Sequence, residues 1–214
     1  MKFYIIRHGV TAWNAERRIQ GASDIPLAED GIFLAKKTGE ALKDVKFDIC
    51  FTSPLTRARH TAELILGENG KNVPIIEDER IREISFGVLE GTKCQDDNGN
   101  YISEEFKEFF MSPETFKRPE KGEDIADICA RTKEFWDEKI NDVSLADKTI
   151  MIATHGCAAR ALLQNVYEED FGFWHGCVPP NCAVNIVEVT DGKAKLIGED
   201  LVYTGEISNT YSTK

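Results

Sequence analysis

The chain predicts a single three-layer α/β/α domain around a mostly parallel central sheet, and three observations carry that expectation. Short apolar runs alternate with amphipathic stretches of helical period along the 214 residues, the order expected of strand–helix–strand units. Three of the runs end at or just before a cationic or imidazole side chain (His8, Arg57, His155). If the strands are parallel, these side chains share the carboxyl edge of the sheet, where open α/β sheets bind ligands. A hydrophobic content of 42% at this length is enough to bury a substantial core as one domain.

The elements follow in order. Phe3 to Arg7 reads as a buried strand that runs into Arg7-His8-Gly9. Glu29 to Leu42 carries Ile32, Ala35, Gly39 and Leu42 at helical spacing. Asp48 to Thr52 is a short strand, and Pro54 suits the first position of the next helix with Ser53 as its cap, so that Arg57 falls early in a helix reaching Leu66. Val73 to Glu77 is extended, with Glu83 a little beyond it. Residues 92–121 are the least regular. There Asp96 to Asn100 signals a turn, Ile102 to Phe110 is amphipathic through Phe106, Phe109 and Phe110, and Pro113 and Pro119 punctuate the exit. This segment reads as a lid-like insertion, the alternative being a satellite helix packed on the sheet. Glu123 to Ile140 is the clearest helix, with Ile128, Thr132, Phe135 and Trp136 on one face. Lys148 to Thr154 is a buried strand ending at His155-Gly156, and Cys157 opens an apolar helical stretch. Cys182 to Val189 and Lys193 to Glu199 are strands joined by the hairpin signal Asp191-Gly192.

A strand holds the His8 imidazole rigidly, and Gly9 lets the backbone turn and a ligand approach. Arg7 beside it supplies a permanent fork of donors suited to phosphate or carboxylate. His8, Arg57, Glu83 and His155 on one sheet edge therefore read as an anion site containing a nucleophile or base.

Several segments then resemble one family. They are Arg7-His8-Gly9 with Thr11 and Asn14; Gly21 with Asp24, Leu27 and Gly31; and Ser53 to Ala58 with Thr61-Ala62. Glu83 with Phe86-Gly87 and Glu90-Gly91 follows, then Ala153-Thr154-His155-Gly156 and Asn181. In this order they resemble the histidine phosphatase superfamily, in the branch that includes cofactor-dependent phosphoglycerate mutases and related phosphatases. The match is weak from Cys94 to Pro119. Two positions depart from the pattern: Val10 stands where an acidic or amide residue is usual, and Ala28 where Ser or Thr often caps the next helix, a loss of about 1 kcal/mol unless a neighbour substitutes.

The resemblance implies a phosphoglycerate mutase-like fold and a phosphate pocket formed by Arg7, Arg57, His155 and Asn14 around His8. A neutral imidazole avoids the charge repulsion that an anionic nucleophile meets at a phosphate monoester, and it can carry the phosphoryl group covalently. The transferring group spreads charge over its equatorial oxygens, which the arginines and His155 can meet. Glu83 is the candidate acid for the leaving oxygen, since it lies beside Ile84 and Phe86 and a carboxyl in partly apolar surroundings stays protonated to higher pH. Gln20, Gly21 and Gly156 complete the expected substrate-binding set. The implied activity is phosphomonoester hydrolysis through phosphohistidine on a small phosphorylated metabolite, without cofactor. The alternative is a phosphoglycerate mutase that uses 2,3-bisphosphoglycerate. A glycolytic mutase carries carboxylate-binding cations after its Glu-Gly motif; here Glu90-Gly91 leads into Thr92-Lys93-Cys94 and an acidic turn, although Lys93, Lys107, Lys117 and Arg118 could still reach a carboxylate.

Cysteines supply the competing constellation. His155-Gly-Cys157 and His175-Gly-Cys177, with Cys182 nearby, could make a tetrahedral zinc site, but no Cys-x-x-Cys occurs and the spacing is that of no familiar zinc module, so no metal is expected. Cysteine-based hydrolysis through Cys157 or Cys177 is the weaker rival. Six scattered cysteines fit reduced thiols, and Met1-Lys2 leads directly into the first core strand without a leader, so a cytoplasmic protein is expected. Apolar runs too short to span a bilayer and a net charge of −11 argue against membrane and nucleic-acid partners.

Overall fold

A computed structural model describes residues 1–67, 70, 72–168 and 172–203. The strands are β1 (Lys2–Arg7), β2 (Ile49–Thr52), β3 (Ile75–Glu77), β4 (Thr149–Thr154), β5 (Val184–Thr190) and β6 (Lys193–Leu201). The helices are α1 (Ala12–Ala15), α2 (Glu29–Ala41), α3 (Thr56–Leu66), α4 (Glu104–Met111), α5 (Ile125–Asn141) and α6 (Gly156–Leu163). The strands form one sheet in the order β3-β2-β4-β1-β5-β6. The first four run parallel, and β5 and β6 join antiparallel to β1 and to each other. The carboxyl ends of β1, β2 and β4 therefore lie side by side, with Arg7 paired to Thr154 and Thr52 to Ala153.

Strand periodicity sorts the core into two faces. Phe3, Ile5, Ile150 and Ile152 point to the side where Phe135 and Trp136 of α5 and Leu162 of α6 pack. Ile6, Cys50, Met151 and Ala153 point to the other, against Ala35 of α2 and Ala62 and Ile65 of α3. This is the three-layer α/β/α domain that the alternating pattern implies. Among the described residues no helix is long and apolar enough to cross a membrane.

Local chemistry departs from expectation at three points. α3 begins at Thr56 with Leu55 at the cap position, so Ser53 does not cap it. Asp24, distant in sequence, does that work by accepting from the Thr56 amide at 2.8 Å and the Thr56 hydroxyl at 2.6 Å. β5 starts at Val184 rather than Cys182, whose φ of +58° turns the chain into the strand. Gly9 is glycine for the sake of protein packing: a Cβ there would lie 2.6 Å from the Gly31 carbonyl oxygen, and one on Gly31 only 2.1 Å from that of Val10. Ala28 indeed caps α2 without a side-chain bond, and Glu29 and Asp30 in the first turn face the helix N-terminus instead.

The irregular segment 92–121 forms α4 with Ser103 as its cap. Phe106, Phe109 and Phe110 bury into a third cluster with Ile19, Ile84, Phe86, Phe116 and Trp174. That cluster sits beside the carboxyl edge of the parallel strands.

Candidate active site

Backbone pairing extends beyond the strand ends to set His8. Its amide donates to the Thr154 carbonyl at 2.9 Å, and its own carbonyl accepts from Asn181 Nδ2 at 3.0 Å. The His8 Nδ1 lies 2.6 Å from the Gly9 carbonyl oxygen. A carbonyl only accepts, so Nδ1 carries the ring proton and the lone pair is left on Nε2. Burial holds the His8 pKa well below the usual 6.5, and the Arg57 and Arg7 guanidiniums push it further down. The imidazole is neutral, as a nucleophile toward a phosphate requires.

Arg57 is fully buried in the first turn of α3, and its Nη1 and Nη2 donate to the carbonyls of Ser23 and Gly21, both at 2.7 Å. Burial lowers its pKa to about 10, with Glu83 opposing the shift, so it stays cationic at neutral pH. Arg7 ends β1 and donates through Nη1 to the Pro179 carbonyl. Both guanidiniums are thus fixed by backbone carbonyls before any anion arrives, the preorganisation that makes charge stabilisation effective.

Thr11 and Asn14 form a reciprocal capping box on α1. Asn14 Oδ1 accepts from the Thr11 amide at 3.1 Å, which turns its Nδ2 into a buried donor without a protein partner among the described residues. Gln20 is placed the same way, its Oε1 accepting from the Thr11 hydroxyl at 2.9 Å. Both amides therefore have their nitrogens available to an anion.

Glu83 shares the cavity lining with Ile84 and Phe86, and backbone amides also reach its carboxyl group. Its Oε1 accepts from the amides of Ile84 at 3.0 Å and Ala158 at 3.1 Å, and its Oε2 from that of Cys157 at 3.3 Å. The carboxyl group is held at the N-terminus of α6, the helix that His155 precedes. His155 is buried behind His8, the ring centroids 5.1 Å apart. Its Nε2 lies 2.7 Å from Ser53 Oγ, and its Nδ1 is a buried atom without a partner among the described residues. Burial, then Arg57 and His8, keep its pKa well below 6.5.

Arg7, His8, Asn14, Gln20, Gly21, Arg57, Glu83 and Gly156 all line one cavity of about 50 Å³. His155 is the exception among the expected residues and reaches the site only from behind. The sequence reading misses Ser53 as the partner of His155, and it misses the two side chains that hold the frame. Glu90 Oε1 accepts from the amides of Ala22 at 2.9 Å and Phe86 at 3.1 Å, tying the loop under Arg57 to the segment after Glu83. Arg131 of α5 donates to the carbonyls of Arg82 at 2.6 Å and Glu83 at 3.0 Å. Trp174 and Val178 also line the cavity. Glu90 stands in a quoted motif, so its position is visible in sequence without its role; Arg131, Trp174 and Val178 carry no local signal.

The rival constellations meet a different geometry. His175 pairs with Glu199 at 2.7 Å and stacks on Tyr167, away from His155. Among the described residues no group of three or more His, Cys, Asp or Glu side chains is arranged to hold a metal ion. Cys157 lines the cavity, but burial and then Glu83 push its thiol well above 9.0, so it is no thiolate nucleophile.

Comparison with known proteins points the same way as this geometry. The family description "Histidine phosphatase superfamily (branch 1)" matches residues 3–199. Over 163 residues the chain is 36% identical to a 2,3-bisphosphoglycerate-dependent phosphoglycerate mutase of Gloeobacter violaceus, covering 76% of this chain and 74% of that protein. Among solved structures it superposes on YhfR of Bacillus stearothermophilus with a TM-score of 0.82 at 32% identity, over 94% of this chain and 97% of that one. A phosphoserine phosphatase of Entamoeba histolytica, solved with 3-phosphoglyceric acid, gives a TM-score of 0.76 at 28% identity over 94% and 97% of the two chains.

Proposed function

This chain belongs to the histidine phosphatase superfamily, and from that premise we propose that it hydrolyses phosphomonoesters of small metabolites through a phosphohistidine at His8. The observation that carries the reading is the neutral imidazole fixed by the Gly9 carbonyl, with its Nε2 lone pair in a cavity that two guanidiniums share. Nε2 attacks phosphorus in line while Arg7, Arg57 and the Asn14 amide take up the equatorial charge. The P–O bond to the leaving group breaks as Glu83 gives that oxygen a proton. Water then attacks the phosphohistidine, Glu83 takes the proton back, and phosphate leaves His8 as it began. No cofactor or metal enters this scheme, and the partner it calls for is the metabolite alone.

The names of the curated relatives favour a second reading, a mutase that would need 2,3-bisphosphoglycerate to charge His8. A mutase must grip the carboxylate of a glycerate while the phosphoryl group moves between hydroxyls. Arg7 and Arg57 are the cations lining the cavity among the described residues. Of the basic side chains in the segment after Glu90, Lys93, Lys107 and Arg118 pair with Asp97, Glu104 and Asp127, and neither they nor Lys117 and Lys121 are among the lining residues. This supports hydrolysis. The test is to mix the protein with a ³²P-labelled phosphomonoester, quench in base, and follow free phosphate alongside 2-/3-phosphoglycerate interconversion. Acid-labile, base-stable label lost in His8→Ala, with phosphate as product, is expected. Fast interconversion with little phosphate release would instead establish the mutase.

A further inference from the structure

We infer that the cavity selects phosphomonoesters whose alcohol portion is apolar and carries no second negative charge. The inference rests on the phosphatase reading and names the substrate class for the same site. Beyond the groups that meet the phosphoryl end, the lining includes Ile19, Phe86, Phe109, Phe110, Trp174 and Val178. These side chains are buried and mutually packed: Phe86 meets Phe109 edge-on at 4.8 Å, and Phe109 meets Trp174 at 5.2 Å. The wall therefore offers a preformed apolar surface.

Away from the Asn14 and Gln20 amides, the wall offers few polar groups. Trp174 Nε1 donates to the Phe109 carbonyl at 2.9 Å, which ties the loop carrying Trp174 to α4. The Cys157 thiol stays protonated by burial. Both cations of the lining have guanidinium nitrogens bonded to backbone carbonyls, Arg57 to those of Ser23 and Gly21 and Arg7 to that of Pro179. Gln20 is the one neutral amide besides Asn14. A carboxylate or second phosphate on the alcohol portion would lose its hydration against aromatic rings and meet no cation in return. A methylene in the same place gains from burial, by a factor of about three to four in binding for each one fully covered.

The test is a series of primary esters of similar leaving-group acidity, so that chemistry stays constant while the wall contact changes. The kcat/KM values of ethyl, butyl and hexyl phosphate are measured beside those of O-phosphoserine and 3-phosphoglycerate, with p-nitrophenyl phosphate as the probe of turnover itself. Activity should rise with chain length, by about two- to fourfold per methylene until the cavity is filled, and both carboxylated esters should fall below ethyl phosphate. Trp174→Leu should flatten the rise. A flat series in the wild-type protein, or a carboxylated ester faster than hexyl phosphate, would overturn the inference and leave the phosphatase reading intact. Failure to turn over any ester, p-nitrophenyl phosphate included, would overturn that reading and this inference with it.

Discussion

Glu83 must exchange a proton with the leaving oxygen while both of its own oxygens accept backbone hydrogen bonds, from Ile84 and Ala158 on one side and Cys157 on the other. Each carboxyl oxygen has two lone pairs, so the bonds orient the group without exhausting it. The arrangement also gives Glu83 a structural duty at the start of α6, and the two duties can be separated. In Glu83→Gln an amide oxygen can still accept from Ile84 and Ala158, yet the side chain has no exchangeable acid proton. The first chemical step with an alkyl phosphate should slow by roughly 10²- to 10⁴-fold. With p-nitrophenyl phosphate the burst of nitrophenolate should slow far less, because that leaving group departs without a proton. Single-turnover measurements on both esters check this, and equal slowing would assign Glu83 to holding the helix alone.

Between α6 and β5 the chain brings Trp174 and Val178 to the cavity wall and the Pro179 carbonyl to Arg7. Arg160 of α6 holds it there. Its Nε and Nη2 donate to the Cys177 carbonyl at 3.1 and 2.9 Å, and its Nη1 to Tyr167 Oη at 2.9 Å and to Glu199 at 3.1 Å, while Asp200 completes the ion pair. The guanidinium is fully enclosed but its acidic partners are partly exposed. Arg160→Ala should therefore cost about 3 kcal/mol, read as a shift in urea midpoint. It should also raise KM for apolar esters more than it lowers kcat, because the wall moves while His8 stays. Unchanged KM would mean that the loop keeps its place without Arg160. Such links explain what could be read in the sequence and what could not. The elements are legible because their signals are local: apolar period in α5, glycine at the hairpin, histidines directly after β1 and β4. Arg160 acts on a carbonyl 17 residues away, Arg131 on one 49 away, and Glu90 on an amide 68 away. No neighbour in sequence betrays such a bond. Glu83 is a mixed case, since the apolar neighbours Ile84 and Phe86 are legible beside it and the amides of Cys157 and Ala158, far along the chain, are not.

At the scale of the whole molecule, a chain of net charge −11 keeps two neutral histidines packed together beside two arginines, and this couples stability to pH. In the unfolded chain each histidine takes up a proton as the pH falls through about 6.5. In the folded protein His8 and His155 refuse it, because burial and the nearby guanidiniums depress both. The unfolded state thus binds more protons below pH 6.5, so the stability these residues contribute is present above that pH and drains away as acid is added. The slope is about 1.4 kcal/mol per pH unit for each histidine while the folded form stays neutral. Carboxylates held low by their partners, such as Asp78 beside Arg80, lose their contribution only at lower pH, as they begin to titrate near 4 in the unfolded chain. Falling net negative charge acts in the opposite direction on the whole molecule, so the wild-type curve alone does not isolate the effect. A difference does. In phosphate-free buffer, urea unfolding of wild type and His8→Asn between pH 7 and 5 should give stability curves that diverge by about 1.4 kcal/mol per pH unit below 6.5, with the variant losing less. Parallel curves would mean that His8 takes up its proton in the folded protein as readily as in the unfolded chain, so that burial and the guanidiniums do not hold the imidazole neutral below pH 6.5.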